Sequence, residues 1–301
     1  MTADRLDRYR AAILENFPGF TLDSLDYLAE GWDSLVCLAN QRYIFRFPKR
    51  PGVAERLVLE TRLLPELAAN LPVSIPNFQF IAQPSSLNFP YLFVGYKSLP
   101  GLTQPDWPDE VGGASWWKAH LGDFLTALHS FPPERARQLG VKVKEFPGTA
   151  GPDTTWREGL EDFYRLAREQ VAVLLSEDAQ DEVAIYFEDF LDDDQHFDFE
   201  PVLLHGDLSE DHLLVDPARQ RLTGVIDFGD VCLGDPAFDV PLDVLPYYRG
   251  PTGPNFEQRQ LFYRRLAPFF AINFGLEHDD LALVDYGLHI IKQGSLSRPG
   301  A

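Results

Sequence analysis

The chain contains 301 residues, of which 45% are hydrophobic and 24% are charged. These values are close to those of ordinary globular proteins and exclude a wholly disordered or fibrous chain. At roughly 100–200 residues per domain, the length predicts two domains or one large bilobed unit. The 46 acidic residues outnumber the 26 basic ones and give a net charge of −20. This charge argues against nucleic-acid binding and would attract cationic ligands.

The location of the protein is predicted from what the sequence lacks. No segment approaches the ~20 consecutive apolar residues that cross a bilayer, so we expect no membrane partner. Residues 1–8 include acids where a secretion signal has basic and apolar residues. The two cysteines, Cys37 and Cys232, exclude a disulfide framework, and together these features predict a cytoplasmic protein.

The N-terminal third of the chain predicts a small β-rich lobe. Apolar residues at helical spacing predict helices over 2–16 and 53–69. Short apolar segments bounded by turn residues predict strands at 20–28, 34–39, 42–47 and 91–96. Asn40 and Gln41 separate the second and third of these strands as a tight hairpin turn would.

The chain becomes largely helical after Leu99-Pro100-Gly101. The predicted helices cover 115–130, 155–175, 179–191, 255–274 and 278–293. One β-rich island interrupts them at 202–227, where residues 216–220 join two apolar stretches in a hairpin pattern. A strand pair inside a helical region indicates a site built on strand ends.

The strongest chemical signal lies at the two ends of the hairpin in this island. One end reads HGDLSEDH over 205–212, and the other reads VIDFGD over 225–230. The hairpin would return Asp227 beside the loop that holds Asp207 and His212. Two carboxylates and an imidazole would then converge at one end of a small sheet.

Such a cluster suits phosphoryl transfer. Mg²⁺ often takes only one or two ligands from protein, a task for Asp227. His212 could supply a further ligand, although imidazole is not the usual choice for this ion. Asp207 would then orient a hydroxyl group and accept its proton. The alternative is that these acids are turn and cap residues, since aspartate is common in both.

These motifs resemble those of the aminoglycoside phosphotransferase family, a group of small-molecule kinases. That family has His-Gly-Asp-Leu, then a metal-binding Asn or His five residues after the Asp, then Ile-Asp-Phe-Gly or Ile-Asp-Trp. It also has a Gly-Asp-Pro-Ala-x-Asp segment, which stands at 234–239 in this chain. The resemblance covers about residues 20–245 and is most specific over 205–239.

The resemblance implies an α+β fold of the protein-kinase type, with two lobes. An N-terminal lobe over 1–97, with an antiparallel sheet and a packed helix, would clamp a nucleotide. A hinge would follow at 98–101. A mainly helical C-terminal lobe over 102–301 would carry the catalytic residues and bind the substrate.

The same resemblance assigns the catalytic residues. By similarity, Asp207 is the catalytic base, and His212 and Asp227 bind the metal. His212 departs from the commoner Asn, as it does in the 2''-type aminoglycoside and the macrolide phosphotransferases. His205, Asp235 and Asp239 would brace loops, and Asp230 would either support the metal-binding loop or be solvated.

For the nucleotide phosphates, the resemblance implies a clamp in the first lobe. Ser34 follows the one glycine of the loop at 31–34 and would meet phosphate oxygens together with backbone amides. Arg46 replaces the lysine that protein kinases place on this strand, and Lys49 is its rival. Glu60, on the following helix, would pair with Arg46.

For the nucleotide base, the resemblance implies contacts with the segment that precedes the hinge. Backbone groups of Lys97 and Leu99 would read the edge of the base. Tyr96 would occupy the gatekeeper position, where a large side chain narrows the deep adenine pocket. The expected donor is therefore GTP or ATP, with GTP favoured.

The sequence thus predicts a phosphotransferase that uses Mg²⁺ and GTP or ATP to phosphorylate a hydroxyl group of a small molecule. The acidity of the chain and His212 suggest a cationic acceptor, an aminoglycoside antibiotic. A macrolide, or a metabolite such as an amino alcohol or a sugar derivative, is the alternative within the same fold. A catalytically silent nucleotide-binding protein is the alternative outside the enzymes. The oligomeric state, and a role in antibiotic resistance or in metabolism, are left open.

Overall fold

A computed structural model describes residues 3–83, 88–144, 146 and 154–293 of the chain. The chain divides into two compact units. The first unit comprises Met1–Leu128, Arg135–Gly140 and Asp207–Asp230, and the second comprises His129–Glu134, Val141–Gly206 and Val231–Ala301. The hinge expected at 98–101 lies inside the first unit, and the lobe boundaries remain a prediction.

Both units combine helices with short strands, which confirms the predicted α+β class. The strands are β1 (Leu25–Glu30), β2 (Ser34–Ala39), β3 (Tyr43–Pro48), β4 (Phe78–Ile81), β5 (Val94–Lys97), β6 (Val202–Leu204), β7 (Leu213–Asp216), β8 (Arg221–Val225) and β9 (Cys232–Gly234). The helices are α1 (Ala3–Asn16), α2 (Pro51–Ala68), α3 (Asp109–Gly112), α4 (Ser115–His129), α5 (Pro133–Leu139), α6 (Trp156–Leu166), α7 (Glu177–Leu191), α8 (Pro236–Asp239), α9 (Phe256–Arg265), α10 (Ala267–Glu277) and α11 (Leu281–Lys292).

The first unit contains a five-stranded antiparallel sheet with the strand order β1-β2-β3-β5-β4. Side chains alternate between the two faces of a sheet, so Phe45 and Phe47 of β3 share one face and Arg46 points to the other. The phenylalanine face packs against α1, where the ring centroids of Tyr9 and Phe47 lie 4.5 Å apart. The alternation therefore directs Arg46 away from this aromatic core, toward Glu60 of α2.

Asn40 shapes the edge of this sheet in two ways. Asn40 and the residue after it have positive φ angles of 52° and 53°, and the Arg42 N–H donates to the Ala39 carbonyl at 3.0 Å, so the predicted tight turn is confirmed. The Asn40 side chain also accepts a hydrogen bond from the Asp23 N–H and donates one to the Thr21 carbonyl. Because this side chain occupies those backbone groups, the strand predicted over 20–28 begins only at Leu25.

The β7–β8 hairpin is part of the first unit and is fixed by backbone hydrogen bonds. Ser74 donates its N–H to the Thr223 carbonyl at 3.1 Å and accepts from the Val225 N–H at 3.0 Å. Leu102 and Val215 exchange N–H to carbonyl bonds of 2.8 and 3.0 Å. These contacts set the position of the hairpin ends, where the candidate site lies.

The second unit holds the strand pair β6–β9 and is otherwise mainly helical. The single helix predicted over 255–274 is wrong, because Leu266 separates α9 from α10. Pro268 lies in the first turn of α10, and proline has no N–H with which to continue the preceding helix. The helix predicted over 155–175 is α-helical only to Leu166. None of the helices described is long and apolar enough to cross a bilayer.

Candidate active site

Asp207 follows a backbone turn at His205 and Gly206, which is held by the buried carboxylate of Asp239. Gly206 has a φ of 84°, a conformation that costs glycine little. The Asp239 carboxylate accepts the backbone N–H of His205 at one oxygen and that of Gly206 at the other, the latter at 3.0 Å. This contact confirms the bracing role expected of Asp239. Asp207 itself is exposed, as a residue that meets a substrate must be.

His212 is oriented by the backbone of the same loop. Its Nδ1 lies 2.7 Å from the carbonyl oxygen of Asp207. Because a carbonyl oxygen can only accept, Nδ1 carries the proton of this bond. In the neutral ring Nε2 then has the lone pair, which is the form that binds a metal ion.

The β7–β8 hairpin returns the chain to His212, as predicted. Ile226 donates its N–H to the His212 carbonyl at 2.9 Å, and Asp227 follows with a φ of 65°. This left-handed conformation is uncommon outside Gly, Asn and Asp. It directs the carboxylate so that Oδ2 lies 3.7 Å from Nε2 of His212. The structure therefore brings the two residues predicted to bind metal together.

The His212 and Asp227 donors fit a Mg²⁺ ion that takes most of its ligands elsewhere. At metal–ligand distances of about 2.1 Å, two octahedral donors are roughly 3.0 Å apart when adjacent and roughly 4.2 Å apart when opposite. The observed 3.7 Å lies between these limits. Within the described ranges no three His, Cys, Asp or Glu side chains gather to form a metal cage. Phosphate and water would have to complete the shell, as is usual for this ion.

Arg46 and Glu60 form a buried ion pair. Nη1 of Arg46 lies 2.8 Å from Oε2 of Glu60, with side-chain exposures of 11% and 2%. Nη2 of Arg46 lies 3.4 Å from Oδ1 of Asp227. Burial lowers the pKa of Arg46, but the charges of Glu60 and Asp227 outweigh it and raise the pKa overall. The site thus contains a fixed positive charge beside the carboxylate of Asp227.

The loop before β2 is held by Lys49, the rival of Arg46, and Ser34 begins β2 directly after the loop. Lys49 lies just beyond β3, donates to the Gly31 carbonyl at 2.6 Å and pairs with Glu30 at 2.9 Å. Lys49 therefore braces the loop, whereas Arg46 faces the site. The buried Oγ of Ser34 has no hydrogen-bond partner among the described residues. Buried hydroxyl groups are normally paired, so the Ser34 hydroxyl is an exception.

Tyr96 lies on the same face of the sheet as Arg46. It is directly opposite Ile44, two residues from Arg46 along β3. Its side chain is buried, and burial raises the pKa of the phenol to about 12, so Tyr96 is neutral at pH 7. Lys97, which ends β5, is exposed, and Leu99 beyond it is half-buried.

A second carboxylate centre, around Asp235, lies wholly in the second unit. Arg259 donates from Nε to Oδ2 of Asp235 at 2.7 Å, and both side chains have 0% exposure. The Tyr263 hydroxyl donates to Oδ2 at 2.8 Å, and the Ala237 N–H donates to Oδ1 at 2.9 Å. Burial raises the pKa of Asp235, and Arg259 opposes this effect. Asp235 thus braces α8, as expected.

Asp239 is held in the same unit by an imidazole. Its Oδ2 lies 3.5 Å from Nε2 of His129, whose Nδ1 lies 2.8 Å from the Tyr248 hydroxyl oxygen. Burial would raise the pKa of Asp239, but His129 and the Gly206 N–H hold it below its usual range. At neutral pH a carboxylate therefore accepts the N–H groups of the loop before Asp207.

Two basic residues beside these loops belong to no sequence motif. Lys144 donates from Nζ to the Gly206 carbonyl at 3.1 Å in the second unit. Arg56, on α2 in the first unit, pairs with Asp33, and its Nη1 lies 3.9 Å from Oδ1 of Asp230. The spacing of Arg56 four residues before Glu60 is the one sequence signal that places it on the site-facing side of the helix.

The model of the phosphotransferase enzyme family matches residues 25–268 of this chain. The uncharacterized protein YcbJ of Bacillus subtilis strain 168 is 26% identical over 213 residues, which make up 66% of this chain and 61% of that protein. The chain thus spans about 61% of the length of this curated relative.

Solved structures resemble the chain over nearly its whole length. The GDP and kanamycin complex of APH(2'')-IIIa is 27% identical, with a TM-score of 0.83 over 95% of this chain and 97% of that one. Macrolide 2'-phosphotransferase type I is 22% identical, with a TM-score of 0.74 over 97% of this chain and 98% of that one. At this lower identity the second likeness concerns the fold alone. Together they confirm the predicted fold.

Proposed function

This chain belongs to the phosphotransferase enzyme family, and we propose that it transfers the terminal phosphoryl group of GTP or ATP to a hydroxyl group of a small molecule. The observation that carries the proposal is the convergence on Asp227. Arg46, held by Glu60, approaches one carboxylate oxygen at 3.4 Å, and His212 approaches the other at 3.7 Å. A carboxylate between a fixed cation and a metal-binding imidazole suits a triphosphate with its metal ion.

In this proposal Asp207 is the catalytic base. It accepts the proton of the acceptor hydroxyl as the hydroxyl oxygen forms a bond to the terminal phosphorus. The bond from that phosphorus to the bridging oxygen breaks, and the nucleoside diphosphate leaves. His212 and Asp227 would hold Mg²⁺, which would neutralise charge on the phosphates. Asp239 accepts the N–H groups of His205 and Gly206, the two residues before Asp207.

The donor nucleotide contacts the first unit. Arg46 and the Ser34 hydroxyl meet phosphate oxygens, and Glu60 keeps the Arg46 side chain in position. Backbone groups of Lys97 and Leu99 read the edge of the base. The buried, neutral Tyr96 fills space behind the base, which favours GTP. The GDP bound in the similar APH(2'')-IIIa structure supports this preference.

The acceptor is an aminoglycoside in the form of the proposal that we favour. Its ammonium groups would be attracted by a chain with a net charge of −20. The kanamycin in the APH(2'')-IIIa complex supports this choice. A macrolide or a metabolite alcohol is the alternative within the fold, because 22% identity to a macrolide phosphotransferase decides the fold and not the substrate.

The test is nucleoside diphosphate release by the purified protein with Mg²⁺. GTP and ATP are compared with kanamycin, gentamicin, erythromycin or no acceptor, and Asp207→Asn is the control. We expect an aminoglycoside to stimulate release, GTP to be the better donor, and the control to lose the stimulation.

Other results would redirect or overturn the proposal. Stimulation by erythromycin alone would make the acceptor a macrolide, and Mg²⁺-dependent nucleotide binding without stimulation would call for a metabolite screen. Nucleotide binding that ignores Mg²⁺, with no acceptor-stimulated release, would contradict the enzyme and favour a silent nucleotide-binding protein.

A further inference from the structure

Asp33 is an unexpected residue for a loop that is to hold phosphates. It precedes Ser34 in the loop between β1 and β2, where a carboxylate would repel a triphosphate. The charge of Asp33 is met by two guanidinium groups. Arg50 donates from Nη2 to Oδ1 at 2.6 Å, and Arg56 donates from Nη2 to Oδ2.

Arg56 differs from Arg50 in reaching a second loop. Its Nη1 lies 3.9 Å from Oδ1 of Asp230, three residues after Asp227. One guanidinium therefore spans the loop before Ser34 and the loop that carries Asp227. The planar fork of arginine can serve two carboxylates at once, whereas the single ammonium group of lysine is a point charge.

The helix that carries Arg56 also carries Glu60. Residues four apart in a helix lie on the same face, about one turn from each other. Glu60 binds Arg46, which lies 3.4 Å from Asp227. Two consecutive turns of α2 thus reach the 227–230 loop, one through Arg46 at Asp227 and one through Arg56 at Asp230.

We propose that Arg56 is a positioning residue that fixes the 31–34 loop against the 227–230 loop. It does not touch the donor. It sets the distance between the Ser34 end of the phosphate clamp and the metal-binding carboxylate of Asp227. This inference rests on the proposed function, because it assigns both loops to one donor nucleotide. It also assigns Asp230 the supporting role that the sequence left open.

The positioning role predicts a pattern that a simple surface ion pair would not produce. An isolated exposed pair has little effect on stability, and its loss leaves catalysis unchanged. A misplacement of reacting groups by about 1 Å can lower the rate on the order of 100-fold. Loss of Arg56 should therefore lower kcat, whereas loss of Arg50, which binds the other oxygen of Asp33, should chiefly raise KM for the donor.

The experiment uses the full chain and measures kcat, KM for the donor and the Kd of the Mg²⁺–GTP complex without acceptor. The variants are Arg56→Ala, Arg56→Lys, Asp230→Asn and the double variant, with Arg50→Ala as the matched control. We expect kcat to fall at least about tenfold in Arg56→Ala and less in Arg56→Lys. Asp230→Asn should lower kcat in the wild-type background and have no further effect in Arg56→Ala.

Three results would overturn the inference. They are an Arg56→Ala kcat equal to that of the wild type, an Arg56→Ala profile identical to that of Arg50→Ala, and independent effects of Arg56 and Asp230. If Arg56→Ala does not fold, Arg56→Lys and Asp230→Asn give the same comparison. A wild-type chain that binds no Mg²⁺–nucleotide would instead defeat the proposed function, which separates the two failures.

Discussion

The two units each place carboxylates beside basic side chains, but they do so in opposite surroundings. In the first unit the Asp227 side chain is 49% exposed, and it touches Arg46 and His212 at 3.4 and 3.7 Å. In the second unit Asp235 and Arg259 have 0% exposure, and the shortest contact between them is 2.7 Å. The carboxylate oxygens of Asp227 are therefore accessible to a ligand. Both oxygens of Asp235, in contrast, accept hydrogen bonds from other groups of the protein.

The backbone shows the same contrast. Asp227 is held at a φ of 65°, a conformation that costs free energy and is retained where it positions a side chain. Asp235 has an ordinary extended conformation and caps the first turn of α8. Exposed carboxylates in the first unit should therefore control activity, and buried carboxylates in the second unit should control stability.

The largest effect expected concerns Asp227. Asp227→Asn keeps a residue that tolerates a positive φ but removes the charge that we propose binds metal. We expect kcat to fall about 1,000-fold or more, because several kcal/mol of transition-state stabilisation are lost. The urea midpoint should hardly change, since the side chain is half exposed. A large fall in the urea midpoint of Asp227→Asn would contradict the claim that exposed carboxylates of the first unit control activity and not stability.

Glu60 sharpens the comparison because it is buried and lies in the first unit. Glu60→Gln leaves the Arg46 guanidinium without its buried counter-charge, which should lower the free energy of unfolding by about 3 kcal/mol and also weaken donor binding. Glu66→Gln is the matched control on the same helix, since Glu66 pairs with Arg135 at the surface. The control should leave the urea midpoint nearly unchanged, because an exposed ion pair contributes little to stability.

Asp235 tests whether buried carboxylates of the second unit control stability. Asp235→Asn leaves Arg259 buried beside a neutral group, and we expect a loss of about 3 kcal/mol in the free energy of unfolding. Tyr263→Phe removes a hydrogen bond to the same carboxylate and the acceptor of the buried Trp156 indole N–H, and should cost about 2 kcal/mol. The kcat per folded molecule should stay within about twofold of the wild type in Tyr263→Phe. A large fall in kcat with intact stability would assign this centre to catalysis.

The smallest effect expected is the contribution of Asp239 to the loss of stability at low pH. Its pKa is lower in the folded chain than in the unfolded one, so its stabilising contribution is complete above a pH of about 4. This contribution is lost as the pH falls through the folded pKa. Between pH 7 and 5 the free energy of unfolding should show no change from this group. Below about pH 4, it should fall more steeply in the wild type than in Asp239→Asn, measured by urea unfolding.

Local patterns in the sequence predict most of the elements that carry the site. The helix over 2–16, the strand over 34–39 and the return of Asp227 to His212 follow from hydrophobic spacing and from the hairpin between the two motifs. The pairing of Arg46 with Glu60 follows from the resemblance to a family rather than from spacing alone. These features depend on short stretches of chain, which is why they can be read without a structure.

Features that depend on distant side chains are not predictable in this way. Strand β4 is an edge strand of four residues that alternates between half-buried and exposed positions, and its pattern is too short to identify. The start of β1 at Leu25 depends on the side chain of Asn40. The contact between the 31–34 loop and the 227–230 loop depends on Arg56. In the last two cases one polar side chain contacts backbone or carboxyl groups that lie far away in the sequence.

The most direct test of the account is a paired measurement on Asp207→Asn, of kcat for acceptor-stimulated nucleoside diphosphate release and of the urea midpoint. A general base contributes roughly 10²–10⁴-fold to the rate, and Asp207 is exposed. The account predicts a fall in kcat within that range with an unchanged midpoint. A variant that retains wild-type kcat, or that loses activity only because it unfolds, would contradict the catalytic role of the exposed carboxylates.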